Sequence, residues 1–207
     1  MRKKRPLDRT TNVVRDANLI VIASEDKYAA RQYFAFFRST KIQFKVLETE
    51  DGKSAPEHVL DRLDEYMKEF DIGEGDEFWL VCDCDHWNKS GHIKNLVGAI
   101  QECRQKGIQV ALSNPCFELW LLLHFADFPP AEKLTCVEVE KQIRKAVGAY
   151  DKTKVYNLPI DSEGVKSAVK RSADNQPASS GIPDRPQTGV HRIIQDLLDR
   201  GIISVDR

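Results

Sequence analysis

The chain has 207 residues, 41% of them hydrophobic and 30% charged, a balance that excludes disordered and membrane-embedded classes and suits one well-cored domain with an appendage rather than two large domains. Its formal net charge of -1 excludes a histone-like coat for nucleic acid while leaving room for local phosphate-binding patches. No apolar run approaches the roughly 20 residues that span a bilayer, the charged stretch from Met1 to Asn12 has no apolar signal core, and five scattered cysteines suit a reducing compartment, so a cytoplasmic protein is expected.

The N-terminal segment, 1–15, is basic through Arg2, Lys3, Lys4, Arg5 and Arg9. Asn18 to Ser24 (NLIVIAS) is short, apolar and rich in β-branched residues, which predicts a strand. Lys27 to Ser39 reads as a helix, with Ala30, Phe34 and Phe37 at helical spacing and Tyr33 beside them. Ile42 to Leu47 alternates as a second strand. Ser54 is expected to cap the next helix, because Pro56 stands in its first turn and Glu57 at the capping-box position. Val59, Leu60, Leu63 and Met67 carry that helix to Phe70. Gly52-Lys53-Ser54 resembles the end of a P-loop, but Leu47 stands where its first glycine is required, so that reading is rejected.

Glu77 to Cys82 forms a third strand ending at Asp83. Ile93 to Lys106 is a third helix closed by Gly107, and Ile108 to Leu112 a fourth strand. The order βαβαβαβ predicts a core over 16–126 built on a mostly parallel four-stranded sheet flanked by helices. Pro115 to Phe125 is strongly apolar and is expected to be a buried helix. Beyond it, 127–207 reads as a helical C-terminal extension. Helices are expected at Cys136 to Tyr150 and Ser162 to Ser172, then a long loop over 172–189 and an amphipathic helix from Val190 to Arg200, ended by Gly201. The stretch from Lys133 to Arg171 is rich in basic residues, which serve either as phosphate contacts or as ordinary solvated helix faces.

Ligands of open parallel α/β sheets bind beyond the carboxyl ends of the strands. Glu25 directly follows the first strand, while Asp83 and Asp85 follow the third, so one sheet edge presents three carboxylates. Mutual repulsion calls for a cation, and all-oxygen ligation suits Mg²⁺ or Mn²⁺. The D-x-D spacing lets Asp83 and Asp85 point the same way from an extended segment, although many such pairs serve only as caps or turns. Cys82, Cys84, His86 and His92 permit a zinc alternative, which is disfavoured because C-x-C-x-H without a second cysteine pair is not a common structural-zinc spacing; core thiols are expected instead. His124 reads as a hydrogen-bonded core histidine. Asn114 is positioned to cap the helix that follows, leaving free N–H groups for an anion. Glu118, the one acid of that apolar helix, either meets a basic partner or joins the metal site.

These residues resemble the pattern of Toprim domains, and more narrowly the RloB family, whose relatives include AbiLii. The match rests on Ser24-Glu25 followed by Tyr33-Phe34, on Asp83 and Asp85, on the stretch from Ser113 to Phe125 (SNPCFELWLLLHF), and on Thr188-Gly189-Val190-His191. It covers nearly the whole chain. The family usually has a glycine after the first acid and a Thr-Glu pair before Tyr-Phe, where this chain has Asp26, Tyr28 and Ala29. The resemblance implies a Toprim-like nuclease that cleaves phosphodiester bonds of DNA or RNA, tRNA included, in abortive infection against phage, beside an AAA/ABC-type ATPase (RloA-like). It further implies Asp83 and Asp85 as Mg²⁺ ligands, Glu25 as ligand or water-activating base, and Asn114 and Glu118 as supporting residues. Lys27 and Lys89 are candidate phosphate contacts. A metal-dependent hydrolase of small nucleotides would use the same acids, whereas a non-enzymatic partner of the ATPase would only bind and would not need them. Salt-dependent polymer binding separates the first of these from a nuclease, and alanine at Glu25 or Asp83 separates the second.

Overall fold

The computed structural model describes residues 1–4, 17–49, 52–85, 92–129, 133–175 and 181–205. Its elements are β1 (Asn18–Ser24), α1 (Ala29–Phe34), β2 (Phe37–Arg38), β3 (Ile42–Leu47), α2 (Pro56–Glu69), β4 (Glu77–Asp83), α3 (Ile93–Gln105), β5 (Gln109–Asn114), α4 (Glu118–Leu122), α5 (Cys136–Val147), a 3-10 turn at Lys152–Asn157, α6 (Ser162–Asp174), β6 (Gln187–Thr188), α7 (His191–Asp199) and β7 (Ser204–Val205). The fold is α/β. The main sheet runs β3-β1-β4-β5-β6, with the first four strands parallel and β6 antiparallel to β5.

Alternation along the strands divides the core. Ile20, Ile22, Trp79 and Val81 face α1 and the helices from α4 to α7, whereas Leu19, Val21, Ala23 and Leu80 face α2 and α3. The division follows from strand order. The crossover from β1 to β3 runs one way along the sheet, those from β3 to β4 and β4 to β5 run the other, and crossovers of one hand then place their helices on opposite faces. The chain therefore reverses direction between β1 and β4, and the crevice outside their carboxyl ends is the topological switch point of the sheet.

The expected four parallel strands are present, and a fifth joins them. Thr188 and Gln187 pair with Ser113 and Asn114, so the end of the long loop at 172–189 becomes a strand, an outcome set by nonlocal pairing. The helix expected over Lys27 to Ser39 is cut to Ala29–Phe34. Phe36 and Phe37 are buried along with Tyr33 and Phe34, more than one helix face can hold, and Phe37–Arg38 pairs with Ser204–Val205 in a separate ribbon. Ser54 does not cap α2: the N-cap is Ala55, with no side-chain bond. Similarly, the apolar run from Pro115 is helical only over Glu118–Leu122, with turns on both sides. The ends predicted from glycine hold, since Gly107 and Gly201 close α3 and α7 at φ of 71° and 63°, a conformation that costs glycine least.

The segments after Cys136 share the core of the α1 face: Val139, Ile143, Val165, Ala168, Ile193 and Ile194 are buried with Trp120 and Trp79. His124 is a core histidine. Its Nε2 meets Tyr33 Oη at 3.2 Å and its Nδ1 meets the Trp120 carbonyl at 3.0 Å, and burial lowers its pKa to about 4, so the ring is neutral at physiological pH. His191 is bound to Ser172 Oγ at 2.8 Å, and burial likewise lowers its pKa to about 4. Cys82, Cys84 and Cys103 are buried on the α2/α3 face, as core thiols. His86 lies outside the described residues. No helix among the described residues is long and apolar enough to cross a membrane.

Candidate acidic site at the sheet switch point

Two residues predicted from sequence meet at the crevice between β1 and β4. The Asp83 backbone N–H donates to Glu25 Oε2 at 3.1 Å, and the Glu25 N–H donates to the Val81 carbonyl at 3.2 Å, so the first acid is tied to the strand that bears the second. The end of β1 is held from the other side. Arg62, reaching from α2, donates to the Ser24 carbonyl at 2.7 Å and to Thr49 Oγ1 at 2.9 Å, while Thr49 donates to the same carbonyl at 2.9 Å. A charge-assisted clamp one residue before Glu25 fixes where its side chain starts.

Asp83 is 9% exposed. Its Oδ1 accepts the Phe117 N–H at 2.8 Å, immediately before α4. Asp83 therefore satisfies the helix start that the sequence assigned to Asn114. Asn114 instead donates its side-chain amide to the Pro183 carbonyl at 2.9 Å, and its bond to Pro115 is cis. Burial, then the charges of Glu25 and Glu118, push the Asp83 carboxyl well above the usual carboxylate range. Like charge acting on a buried carboxyl is the condition in which it resists ionisation unless a cation is supplied.

Glu118 meets a basic partner, the first of the two alternatives posed for it. It is 1% exposed, accepts the Tyr150 hydroxyl at 3.2 Å and pairs with Lys152 Nζ at 3.2 Å, yet it also raises Asp83. Lys152 makes a second pair, with Asp26 Oδ2 at 2.9 Å. Burial opposes the Lys152 ammonium, but Glu118 and Asp26 outweigh it and hold its pKa above the ordinary lysine value. Asp26 has a further duty, since its Oδ1 accepts the N–H of Tyr28, at 2.6 Å, and of Ala29 at the start of α1. Asp26 thus organises the turn after Glu25 and anchors the Lys152 ammonium.

Asp85 follows at the turn after β4. Its Oδ2 accepts from Cys136 Sγ at 3.3 Å, at the first residue of α5, and it lines a cleft of about 650 Å³ next to the acidic centre. Lys27 is exposed, with its ammonium 5.5 Å from the centre of the Tyr28 ring, and Lys89 lies outside the described residues. Among the described residues no group of three His, Cys, Asp or Glu side chains is arranged to hold a metal ion. Glu25 and Asp83 offer only oxygens, the donor type that a hard divalent cation takes. Lys152, Tyr150, Arg62 and Thr49 were not singled out by the sequence. Lys152 and Tyr150 lie at and just before a 3-10 turn with no spacing relation to Glu25 or Asp83, and the basic composition around Lys152 was the one available hint.

A family model described as RloB-like protein matches residues 20–197 of the chain. A search of curated proteins returned no match, and a search of solved structures returned none.

Proposed function

From the chain's membership of the RloB-like family, we propose that it is a metal-dependent nuclease of Toprim type, cleaving phosphodiester bonds of DNA or RNA in antiphage defence beside an ATPase partner. The observation that carries this reading is the Asp83–Glu25 contact at the switch point, with the Asp83 carboxyl held far above its usual range by burial and by Glu25 and Glu118. Carboxyl groups perturbed by desolvation and like charge in a strand-end crevice are the groups expected to do chemistry. Mg²⁺ or Mn²⁺ bound by Glu25 and Asp83 would polarise a phosphoryl oxygen and acidify a water.

The chain's own residues supply the rest. Glu25, half-buried and fixed by the Asp83 N–H, is placed to take the proton of an attacking water or to ligate. Phe117 N–H orients Asp83. Lys152 offsets Glu118 and Asp26, so that the negative charge left at the crevice is concentrated on Glu25 and Asp83. Asn114 holds the 183 segment against the end of β5, a supporting role.

The test is incubation of the chain with DNA and RNA substrates in Mg²⁺ or Mn²⁺ and in chelator, wild type beside Glu25→Ala and Asp83→Ala. Cleavage is expected with metal alone and to fall by roughly 10²-fold or more in both variants, the scale seen when one electrostatic contributor to a transition state is lost. Cleavage that survives both substitutions would mean that the chemistry lies elsewhere.

A further inference from the structure

The cleft beside the acidic centre is not used by the chemistry above. It opens between the end of β5, the start of α5 and the 182–186 segment. Its apolar walls are Ile93, Pro115, Leu134, Ile182, Pro183 and Pro186. Proline rings and branched aliphatic side chains give flat, stiff surfaces, and the Asn114 amide bond to the Pro183 carbonyl braces one wall against the sheet. Polar groups stand around these walls: Asp85 on the side of the acidic centre, the exposed Asp184, and the exposed Lys133 just before α5. At about 650 Å³ the cleft falls within the range of small-molecule sites, roughly 300–1,000 Å³, and is ample for one nucleotide.

Position decides the occupant. Asp85 lies two residues along the chain from Asp83, at most about 7 Å between Cα atoms, so a ligand in the cleft abuts the carboxylates proposed to act on a phosphodiester. An apolar slot takes the faces of a nucleobase, carboxylates accept from base amino or imino groups, and a lysine at the mouth meets a phosphate. A base inside a duplex cannot enter such a slot without leaving its stack, which costs a few kcal/mol. We infer that the cleft receives one unpaired nucleotide next to the scissile phosphate, so that the substrate is single-stranded or looped nucleic acid in preference to duplex. The inference rests on the nuclease reading.

The experiment is fluorescence anisotropy of the full chain with labelled single-stranded and duplex oligonucleotides of one sequence, in chelator so that no cleavage occurs. The arms are wild type, Ile182→Trp, which fills the cleft, and Lys133→Glu, whose exposed position leaves folding untouched. Single strands should bind at least tenfold more tightly than duplex, and Ile182→Trp should lose about that factor. Lys133→Glu should weaken binding and reduce the salt slope by about one. Nucleoside monophosphates serve as competitors. Weak competition assigns the cleft to the polymer, and competition as strong as that of the oligonucleotide assigns the same site to free nucleotides. Duplex bound as tightly as single strand would overturn the inference, and so would wild-type affinity in folded Ile182→Trp or, should that variant not fold, wild-type affinity and salt slope in Lys133→Glu. Because binding is read without metal, these failures leave the cleavage test standing, and an absence of cleavage leaves the binding result standing.

Discussion

Asp83→Asn is expected to make the protein more stable while abolishing metal-dependent cleavage. In the native site the Asp83 carboxylate is buried and pushed up by Glu25 and Glu118, so its ionised form opposes folding at neutral pH. Asparagine keeps an oxygen for the Phe117 N–H, which the aspartate accepts at 2.8 Å, and removes the charge. The gain should be on the order of 1–2 kcal/mol, typical of relieving a site kept unstable for function, or a rise of roughly 2–8 °C in Tm. The sign with pH follows from linkage. A carboxyl whose folded pKa is raised destabilises above that pKa, and the cost disappears as pH falls toward the unfolded value near 3.9. The advantage of Asp83→Asn should therefore shrink on acidification. Thermal melts of both proteins from pH 8 to pH 4 check it, and a variant less stable than wild type at pH 7 would contradict the electrostatic account.

Lys152→Met should destabilise the chain, and a second substitution should restore it in part. Without the ammonium, Glu118 at 1% exposure keeps only the Tyr150 hydroxyl at 3.2 Å as a donor in the described contacts, with Asp83 and Asp26 nearby. Removing one member of a fully buried pair costs about 3–5 kcal/mol. The Lys152 side chain is 43% exposed, so solvent screening lowers the expected loss to about 1–3 kcal/mol. Lys152→Met combined with Glu118→Gln removes the buried Glu118 charge, leaves Asp26 to the N–H groups of Tyr28 and Ala29, and should recover part of the loss. Denaturant melts of the two single variants and the double give the coupling directly. A double variant whose loss is the sum of the two singles would show that Lys152 and Glu118 do not act as a pair.

Glu25 and Asp83 were legible in the sequence because each closes an apolar, β-rich run, and strand ends of parallel sheets are where ligands gather. The switch point itself was not, since βαβαβαβ fixes the elements and leaves the order β3-β1-β4-β5 open. Local rules failed where distant residues competed. Asn114 has the chemistry of a cap, yet Asp83, more than thirty residues earlier, takes the Phe117 N–H. Lys27 to Ser39 has helical spacing, yet Phe37–Arg38 is drawn into pairing with Ser204–Val205. Lys152 falls in a 3-10 turn, where no periodicity points to a partner, and its link to Glu118 and Asp26 arises only when the segment after α5 folds back over the sheet edge. The D-x-D spacing predicted a common direction for Asp83 and Asp85. In the structure the chain turns after Asp83, and Asp85 meets Cys136 in the wall of the cleft.

The central claim is that Glu25 and Asp83 together recruit a divalent cation. Titration of Mn²⁺ followed by electron paramagnetic resonance tests it without requiring turnover, substrate or partner, on wild type, Glu25→Gln and Asp83→Asn, each verified as folded. Saturable binding to wild type, weakened at least tenfold by either substitution, is the predicted result. Equal Mn²⁺ affinity in all three proteins would contradict the claim and leave the two acids as a structural pair at the sheet edge.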